Sequence, residues 1–145
     1  MKIKQFTPIV FFFLGTLFLS AQQHTKTFKE ALLTAKETNK KVLLVFAGSD
    51  WCAPCMKLEK NILHTPEFKD LADEKFVLYK ADFPMRKKNK LPESKQKENG
   101  ALAEKYKQNG IFPLVVVLTN EGKELGRMSY KNIAPVTYFN KLASF

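Results

Sequence analysis

The chain has 145 residues, 45% of them hydrophobic, which is enough for one domain with a single buried core. It is strongly basic, with a formal net charge of +10 from 24 basic and 14 acidic residues. Its main basic run lacks the interleaved aromatic residues of a nucleic-acid surface, so we expect no nucleic-acid partner. Its two cysteines exclude a small fold held together by several disulfides.

The start of the chain has the order of a secretory signal peptide. Two lysines precede an apolar run over residues 9–19, and the small residues Ser20 and Ala21 follow it. The run has 11 residues, whereas a membrane-spanning helix needs about 20. We therefore expect cleavage of residues 1–21, export to the periplasm and a mature domain over 22–145 without a stable membrane anchor. A retained anchor is the alternative.

The mature chain opens with a predicted helix and a buried strand. Residues 27–40 begin with a Thr-x-x-Glu capping box and carry an apolar face. The run KVLLVFAG, residues 41–48, is continuously apolar, which is typical of a strand buried on both faces. Cys52 and Cys55 come next, and a helical pattern continues to about His64. The pattern therefore places both cysteines at a strand-to-helix junction.

The second half of the chain has five further predicted elements. They are a strand over 76–82, a helix over 92–108, the two strands of a hairpin over 114–119 and 123–129, and a helix over 134–144. Asn120, Glu121 and Gly122 supply the turn of the hairpin. After the extra N-terminal helix the order is β-α-β-α-β-β-α. This order predicts an α/β fold, with a central mixed β-sheet flanked by helices.

The predicted junction suits thiol chemistry. Cys52 would lie at the N-terminal end of a helix, where free N–H groups and the helix dipole favour a thiolate over a neutral thiol. Cys52 is therefore the predicted nucleophile. Cys55, one turn away, would resolve the mixed disulfide, so the two form a redox-active pair.

Other uses of the cysteine pair fit less well. A zinc site needs at least three protein ligands, and the histidines that remain are His24 and His64, so we expect neither a metal nor a cofactor. A disulfide across so short a loop constrains the unfolded chain very little, so stability does not explain the pair. Two inert thiols would not need the junction or the flanking Trp51.

With these elements in order, the chain resembles the thioredoxin superfamily over nearly all of residues 41–145. WCAPC matches the Trp-Cys-x-Pro-Cys pattern of the family, and NGIFPLVVV matches its cis-proline loop. The resemblance implies a thioredoxin-like fold with a cis Pro113 facing the nucleophile, and Trp51, Phe112 and Pro113 binding extended substrate. The junction GSDWCAPC is most similar to small exported thioredoxin-like proteins of the Bacteroidetes type.

The chain departs from thioredoxin at the position of a buried aspartate that assists proton transfer at the resolving cysteine. Phe46 occupies that position, so the resemblance supplies no proton acceptor for Cys55. Lys80 matches the lysine that accompanies the aspartate. We expect the nearby carboxylates of Asp50 and Glu59 to be surface or structural charges.

Two further departures concern the surface. Phe112 stands where thioredoxins often have isoleucine or threonine, which would change substrate preference or redox poise. Residues 83–98, the basic segment, are longer than the connection in thioredoxin. Residues 85–98 carry six basic and two acidic side chains. Such a run fits a docking surface for an acidic partner, a lid, or a solvated loop.

Together these features predict an exported thiol-disulfide oxidoreductase that acts on protein disulfides. Ala53-Pro54 resembles the Gly-Pro of reducing thioredoxins, which favours a reductase or isomerase over an oxidase. The expected partners are disulfide-bearing exported proteins and an outside electron donor, and we expect a monomer. The main alternative is a non-catalytic peptide-binding or chaperone-like module that grips extended segments at Phe112-Pro113, and a metal carrier is the third.

Overall fold

The computed structural model describes residues 26–106 and 110–145. The predicted signal peptide, residues 1–21, lies outside the described residues, as does the predicted start of the mature domain at residue 22. Both stay predictions. None of the helices in the described ranges is long and apolar enough to cross a membrane.

Helices and strands alternate along the described chain. In order they are α1 (Phe28–Glu37), β1 (Lys41–Ala47), α2 (Ala53–Leu58), α3 (Pro66–Lys75), β2 (Phe76–Asp82), α4 (Glu93–Tyr106), β3 (Leu114–Leu118), β4 (Glu124–Ser129) and α5 (Pro135–Ala143). A π-helical turn, Glu59–Leu63, extends α2, and a 3-10 turn, Lys87–Asn89, lies between β2 and α4. Each predicted element is present with small shifts at its ends. Gln108, the predicted end of α4, lies outside the described residues.

Helix α3 is the element that the sequence pattern does not predict. Thr65 caps it by accepting a hydrogen bond from the Phe68 N–H, and Pro66 occupies its first turn. Only Phe68 and Ala72 of this helix are buried. Two buried positions in ten residues leave too weak a periodicity to identify the helix.

The sheet has the strand order β2-β1-β3-β4. Strands β1 and β2 are parallel, while β3 is antiparallel to both β1 and β4. The last residue of β1, Ala47, is therefore paired with the last residue of β2, Asp82. The first residue of β3, Leu114, pairs with Phe46 at the same edge. Three loops thus meet there: the loop after β1, the loop after β2 and the loop before β3.

Two apolar layers cover the sheet, one on each face. Val42, Leu44 and Phe46 of β1 pack in the layer that includes side chains of α1 and α4. Leu43 and Val45 face the layer formed with α2, α3 and α5. Since successive strand residues point to opposite faces, the continuous apolar run of β1 is buried on both sides, as predicted.

A polar network fastens α1 and α4 to β2. The carboxylate of Glu98 accepts hydrogen bonds from the Phe28 N–H at 2.9 Å, the Tyr79 hydroxyl at 2.6 Å and the Lys95 ammonium at 3.0 Å. Burial acts to raise the pKa of Glu98, but these hydrogen bonds and the charge of Lys95 outweigh it, so the pKa lies below its ordinary value of 4.5.

This network predicts a pH-dependent loss of stability in Glu98→Gln. A depressed folded-state pKa contributes stability that is present above pH 4.5 and is lost as the pH falls through the lower folded value. We expect the variant to lose about 1–2 kcal/mol of unfolding free energy at pH 7 and less at pH 3. Urea unfolding at both pH values measures the difference. Glu93→Gln, which removes an exposed ion pair with Lys97, is the control and should change stability by about 0.5 kcal/mol or less.

Candidate active site

Cys52 and Cys55 form a disulfide at the start of α2, with their Cα atoms 5.2 Å apart. Cys52 is the N-cap residue, and its Sγ accepts a hydrogen bond from the Cys55 N–H at 3.3 Å. Pro54 lies in the first turn, where its missing N–H costs no helical hydrogen bond. The predicted placement of the pair at a strand-to-helix junction is confirmed.

The disulfide is almost covered. Cys52 is 4% exposed and Cys55 is 1% exposed, and both pack with Ala47 and Phe112. Of the two residues, Cys52 is slightly the more exposed. A bulky partner must reach the pair at this edge of the sheet, where the three loops meet.

The loop before β3 packs against the disulfide through Phe112. The peptide bond between Phe112 and Pro113 is cis, as the resemblance implies. The Pro113 carbonyl accepts a hydrogen bond from the Ser129 hydroxyl at 2.7 Å, which fixes the loop to β4. The Phe112 ring meets the Trp51 ring edge-on with their centroids 5.3 Å apart. The structure therefore brings all five predicted site residues to one place, and their contacts with substrate stay predictions.

Phe83 belongs to the same cluster, although the sequence gives no direct sign of it. Its carbonyl accepts a hydrogen bond from the Trp51 indole N–H at 2.7 Å, and its ring lies 5.6 Å from that of Phe112. The sequence could have indicated this position of Phe83 only through the predicted strand pairing. Phe83 follows the last residue of β2, and the parallel pairing of β1 with β2 brings that end of β2 beside the loop that holds Trp51.

Gly48 lets the Trp51 ring lie close to the backbone. A Cβ atom at residue 48 would come within 2.3 Å of the indole carbons, a distance that no side chain tolerates. The glycine and the hydrogen bond from Trp51 to Phe83 together hold the indole beside the disulfide, with 43% of Trp51 exposed.

Two carboxylates tie the loop between β1 and α2 to the chain that follows β2. Asp82 accepts hydrogen bonds from the N–H of Ser49 at 2.9 Å and from its hydroxyl at 2.6 Å. Asp50 reaches further and accepts from the N–H groups of Met85 at 2.9 Å and Arg86 at 3.0 Å, and from the Asn89 amide at 2.8 Å. Asp50 is thus a structural charge, as expected.

The pKa of Asp50 is lowered by these bonds. The Met85 N–H has the largest effect, and burial, the second-largest, opposes it. The Asn89 amide, the Arg86 N–H and the positive charge of Arg86 add to the lowering. Asp50 is therefore ionised at neutral pH and holds the basic segment as a full negative charge.

Phe46 lies in the apolar layer on the α1 and α4 face of the sheet. Phe46 is fully buried and pairs with Ala81, while Lys80 pairs with Val45. Neighbouring strand residues point to opposite faces, so Lys80 and Phe46 lie on different sides of the sheet. Lys80 forms an ion pair with Glu59. Both charges therefore have a structural role on the α2 side, away from the Phe46 ring.

Metal ligands do not gather near the disulfide. Over residues 26–106 and 110–145, no three His, Cys, Asp or Glu side chains lie close enough together to hold a metal ion.

Known proteins are similar to this chain in sequence and in fold. The sequence profile of a family described as Thioredoxin-like matches residues 23–120. The chain is 36% identical over 125 residues to the disulfide bond reductase DsbH of Chlamydia pneumoniae, covering 86% of this chain and 74% of that protein. It is also 36% identical over 101 residues to the thioredoxin-related protein DsbJ of Chlamydia pneumoniae, covering 70% of this chain but 28% of that protein. A solved structure of a DsbH oxidoreductase matches with a TM-score of 0.77 and 33% identity, covering 99% of this chain and 92% of the other.

These relatives agree with the disulfide that the structure places across the Cys-x-x-Cys motif. The expected thioredoxin-like fold is confirmed, and so is the expected activity of a thiol-disulfide oxidoreductase. The chain belongs to the thioredoxin-like family.

Proposed function

We propose that this chain reduces disulfides of exported proteins in the periplasm, with Cys52 as nucleophile and Cys55 as resolving residue. The observation that carries the proposal is the disulfide at the N-cap of α2, packed against the cis-proline loop. The name of the relative DsbH, a disulfide bond reductase, supports the direction of electron flow. The apolar run that precedes residue 20 supports export.

The proposed reaction has two exchanges. In the reduced protein the Cys52 thiolate attacks one sulfur of a substrate disulfide, forming a mixed disulfide and releasing the other substrate sulfur as a thiolate that takes up a proton. Cys55 then loses its proton and attacks the Cys52 sulfur. This second step forms the Cys52–Cys55 bond and releases the remaining substrate sulfur. Two electrons pass to the substrate, which leaves as a dithiol, and the protein leaves as a disulfide.

The geometry around Cys52 supports its role as the attacking sulfur. The Cys55 N–H already points at the Cys52 Sγ and would stabilise a negative charge there. Cys52 is also slightly the more exposed of the two residues, and Cys55 follows it in the first turn of α2. The chain has two cysteines, so it has no third thiol that could pass electrons to the pair. An outside dithiol donor must therefore reset the protein after each cycle.

The surface beside the disulfide supports an unfolded or extended protein as substrate. Large apolar side chains are exposed on residues close in the chain to the site: Trp51 and Met56 each adjoin a cysteine, and Ile111 adjoins Phe112. Exposed apolar side chains gathered in one place are typical of an interaction site. The cis-proline loop offers a backbone edge next to them, so an extended segment would pair there with its cystine over Cys52.

The reduction potential tests the proposed direction. We expect equilibration with a glutathione buffer to give a potential closer to the about −270 mV of thioredoxin than to the about −120 mV of the oxidant DsbA. The reason is the Ala53-Pro54 pair, which resembles the Gly-Pro of reducing thioredoxins. A potential near that of DsbA would make the protein an oxidant and contradict the proposal. Reduction of insulin disulfides by the dithiol form is the matching rate measurement.

A further inference from the structure

The most concentrated charge near the disulfide is a short turn in the basic segment. We call it the basic turn: residues 86–90, which contain Arg86, Lys87, Lys88 and Lys90. All five residues of the turn are exposed. No acidic residue lies within it. Three consecutive residues, Lys87–Asn89, form the 3-10 turn, which keeps the segment compact.

Hydrogen bonds to Asp50 connect the basic turn to the loop that precedes Cys52. Asp50 binds the backbone at Arg86 and the side chain of Asn89, and Asp50 is two residues from Cys52. Two residues of chain span at most about 7 Å, so the residue that binds the turn lies within about 7 Å of Cys52 along the backbone. The bond from the Trp51 indole to the Phe83 carbonyl holds the start of the same segment.

The lysines of the basic turn keep their charge available. The described ion pairs of the chain join Lys80, Lys95, Lys97 and Arg127 to glutamates, and none of them includes a residue of the turn. Arg86 binds Asp50 through its backbone N–H, and its charge contributes to holding that carboxylate ionised. Lys87, Lys88 and Lys90 are therefore the charges left for a partner.

The cavity beside the basic turn is smaller than most small-molecule sites. The cavity beside the turn, lined by Lys90 and Phe83 among others, has a volume of about 220 Å³. Pockets for small molecules usually measure about 300–1,000 Å³. Trp51, next to Cys52 in the chain, and Met85, next to the turn, are both exposed apolar residues, which suits a polypeptide that covers the turn and the disulfide.

We propose that the basic turn recognises acidic residues in the substrate polypeptide, a few positions from the cystine that Cys52 attacks. This inference rests on the proposed reductase function and names the class of substrate that the site prefers. The distance from Cys52 across Asp50 to the lysines is on the order of 10–15 Å, and an extended chain covers it in about three to five residues. The preferred substrate thus carries Asp or Glu about three to five residues from its cystine.

Three cystine peptides test the preference. They are identical except for three residues near the cystine, which are Glu in one peptide, Gln in the second and Lys in the third. The dithiol form of the protein is mixed with each peptide in a stopped-flow instrument, and the fluorescence of Trp51, the single tryptophan, follows the oxidation of the neighbouring pair. We expect the Glu peptide to react about tenfold faster than the Lys peptide at low ionic strength, and the ratio to fall as salt is added.

A matched pair of triple variants separates the basic turn from the overall positive charge. Lys87→Gln/Lys88→Gln/Lys90→Gln removes three charges from the turn, and the control removes three exposed lysines at the opposite edge of the sheet: Lys36→Gln/Lys75→Gln/Lys123→Gln. We expect the first variant to lose most of the preference for the Glu peptide and the control to keep it. Both should reduce the Gln peptide at the wild-type rate.

Asp50→Ala tests the position of the charges. It raises the net charge by one but removes the three hydrogen bonds that hold the turn. We expect the Glu-to-Lys rate ratio to fall, whereas a preference that came from net charge alone would rise. An unchanged or higher ratio would count against the proposal.

The outcomes distinguish this inference from the proposed function. If no peptide is reduced, the reductase function fails and the inference fails with it. If all three peptides are reduced at one rate, or the two triple variants behave alike, the reductase function stands and the inference is wrong. Sedimentation with vesicles containing anionic phosphatidylglycerol tests whether the turn binds a lipid surface instead. Vesicle binding that depends on the three turn lysines, together with equal peptide rates, would assign the turn to a membrane surface and overturn the proposal.

Discussion

Cys55→Ser is expected to accumulate covalent complexes with its substrates. The Cys52 thiolate can still form a mixed disulfide, but the thiol that releases it is gone, so each attack ends in a stalled complex. Cys52→Ser is expected to form no such complex and to lower insulin reduction to the rate of the added dithiol alone. Non-reducing gels of cell extracts, followed by mass spectrometry of the trapped partners, measure the first effect. A turbidity assay measures the second.

The double variant Cys52→Ser/Cys55→Ser separates catalysis from simple peptide binding. A chaperone-like module would keep protecting an unfolded protein from aggregation with both sulfurs replaced, because its binding surface is intact. We expect the double variant to lose all reductase activity. Full retention of the biological function by this variant would show that the redox pair is not what the protein is used for.

Phe46→Asp is expected to destabilise the protein strongly, even though it restores the residue type of thioredoxin. Phe46 is fully buried, and its ring stacks on Phe83 with their centroids 6.5 Å apart. Loss of a buried phenylalanine side chain costs about 3–5 kcal/mol, and a buried carboxylate adds a desolvation cost. Domains of this size are stable by about 5–15 kcal/mol, so we expect the variant to be near its folding limit. Urea unfolding at pH 7 measures the loss.

Phe46→Leu is the matched control for that measurement. It keeps the site apolar and removes less volume, so we expect a loss of about 1–1.5 kcal/mol and nearly normal insulin reduction. If Phe46→Asp were instead as stable as Phe46→Leu and reduced insulin faster than the wild type, the surroundings of Phe46 would be able to host the proton relay of thioredoxin. The apolar layer that contains Phe46 argues against that result.

The parts of the fold that the sequence predicts well depend on short-range patterns. The capping box of α1 is formed as expected, with the Thr27 hydroxyl accepting from the Glu30 N–H at 3.1 Å and the Glu30 carboxylate accepting from the Thr27 N–H at 3.2 Å. The apolar run of β1 and the spacing of Cys52 and Cys55 are equally local. Each of these signals lies within one element, so no knowledge of the packing is needed to interpret it.

The remainder of the site depends on contacts between distant parts of the chain. Asp50 and Arg86 are 36 positions apart, and only the parallel pairing of β1 with β2 brings them together. The same pairing places Phe83 beside Trp51. A sequence shows that Asp50 is charged, but it does not show which backbone N–H groups the carboxylate will meet. Register between strands, which decides this, is a property of the whole core.

The hydrogen bonds of Asp50 join two parts of the chain that have different roles. The sulfurs and the cis-proline loop lie at one end of the sheet, while the basic turn is an exposed stretch bound by the carboxylate of Asp50. Residues 86–90 could therefore be exchanged for another sequence, provided that the N–H groups facing Asp50 are kept, without disturbing the bond-exchanging machinery. If the basic turn selects substrates as proposed, substrate choice and disulfide chemistry can change independently among related proteins.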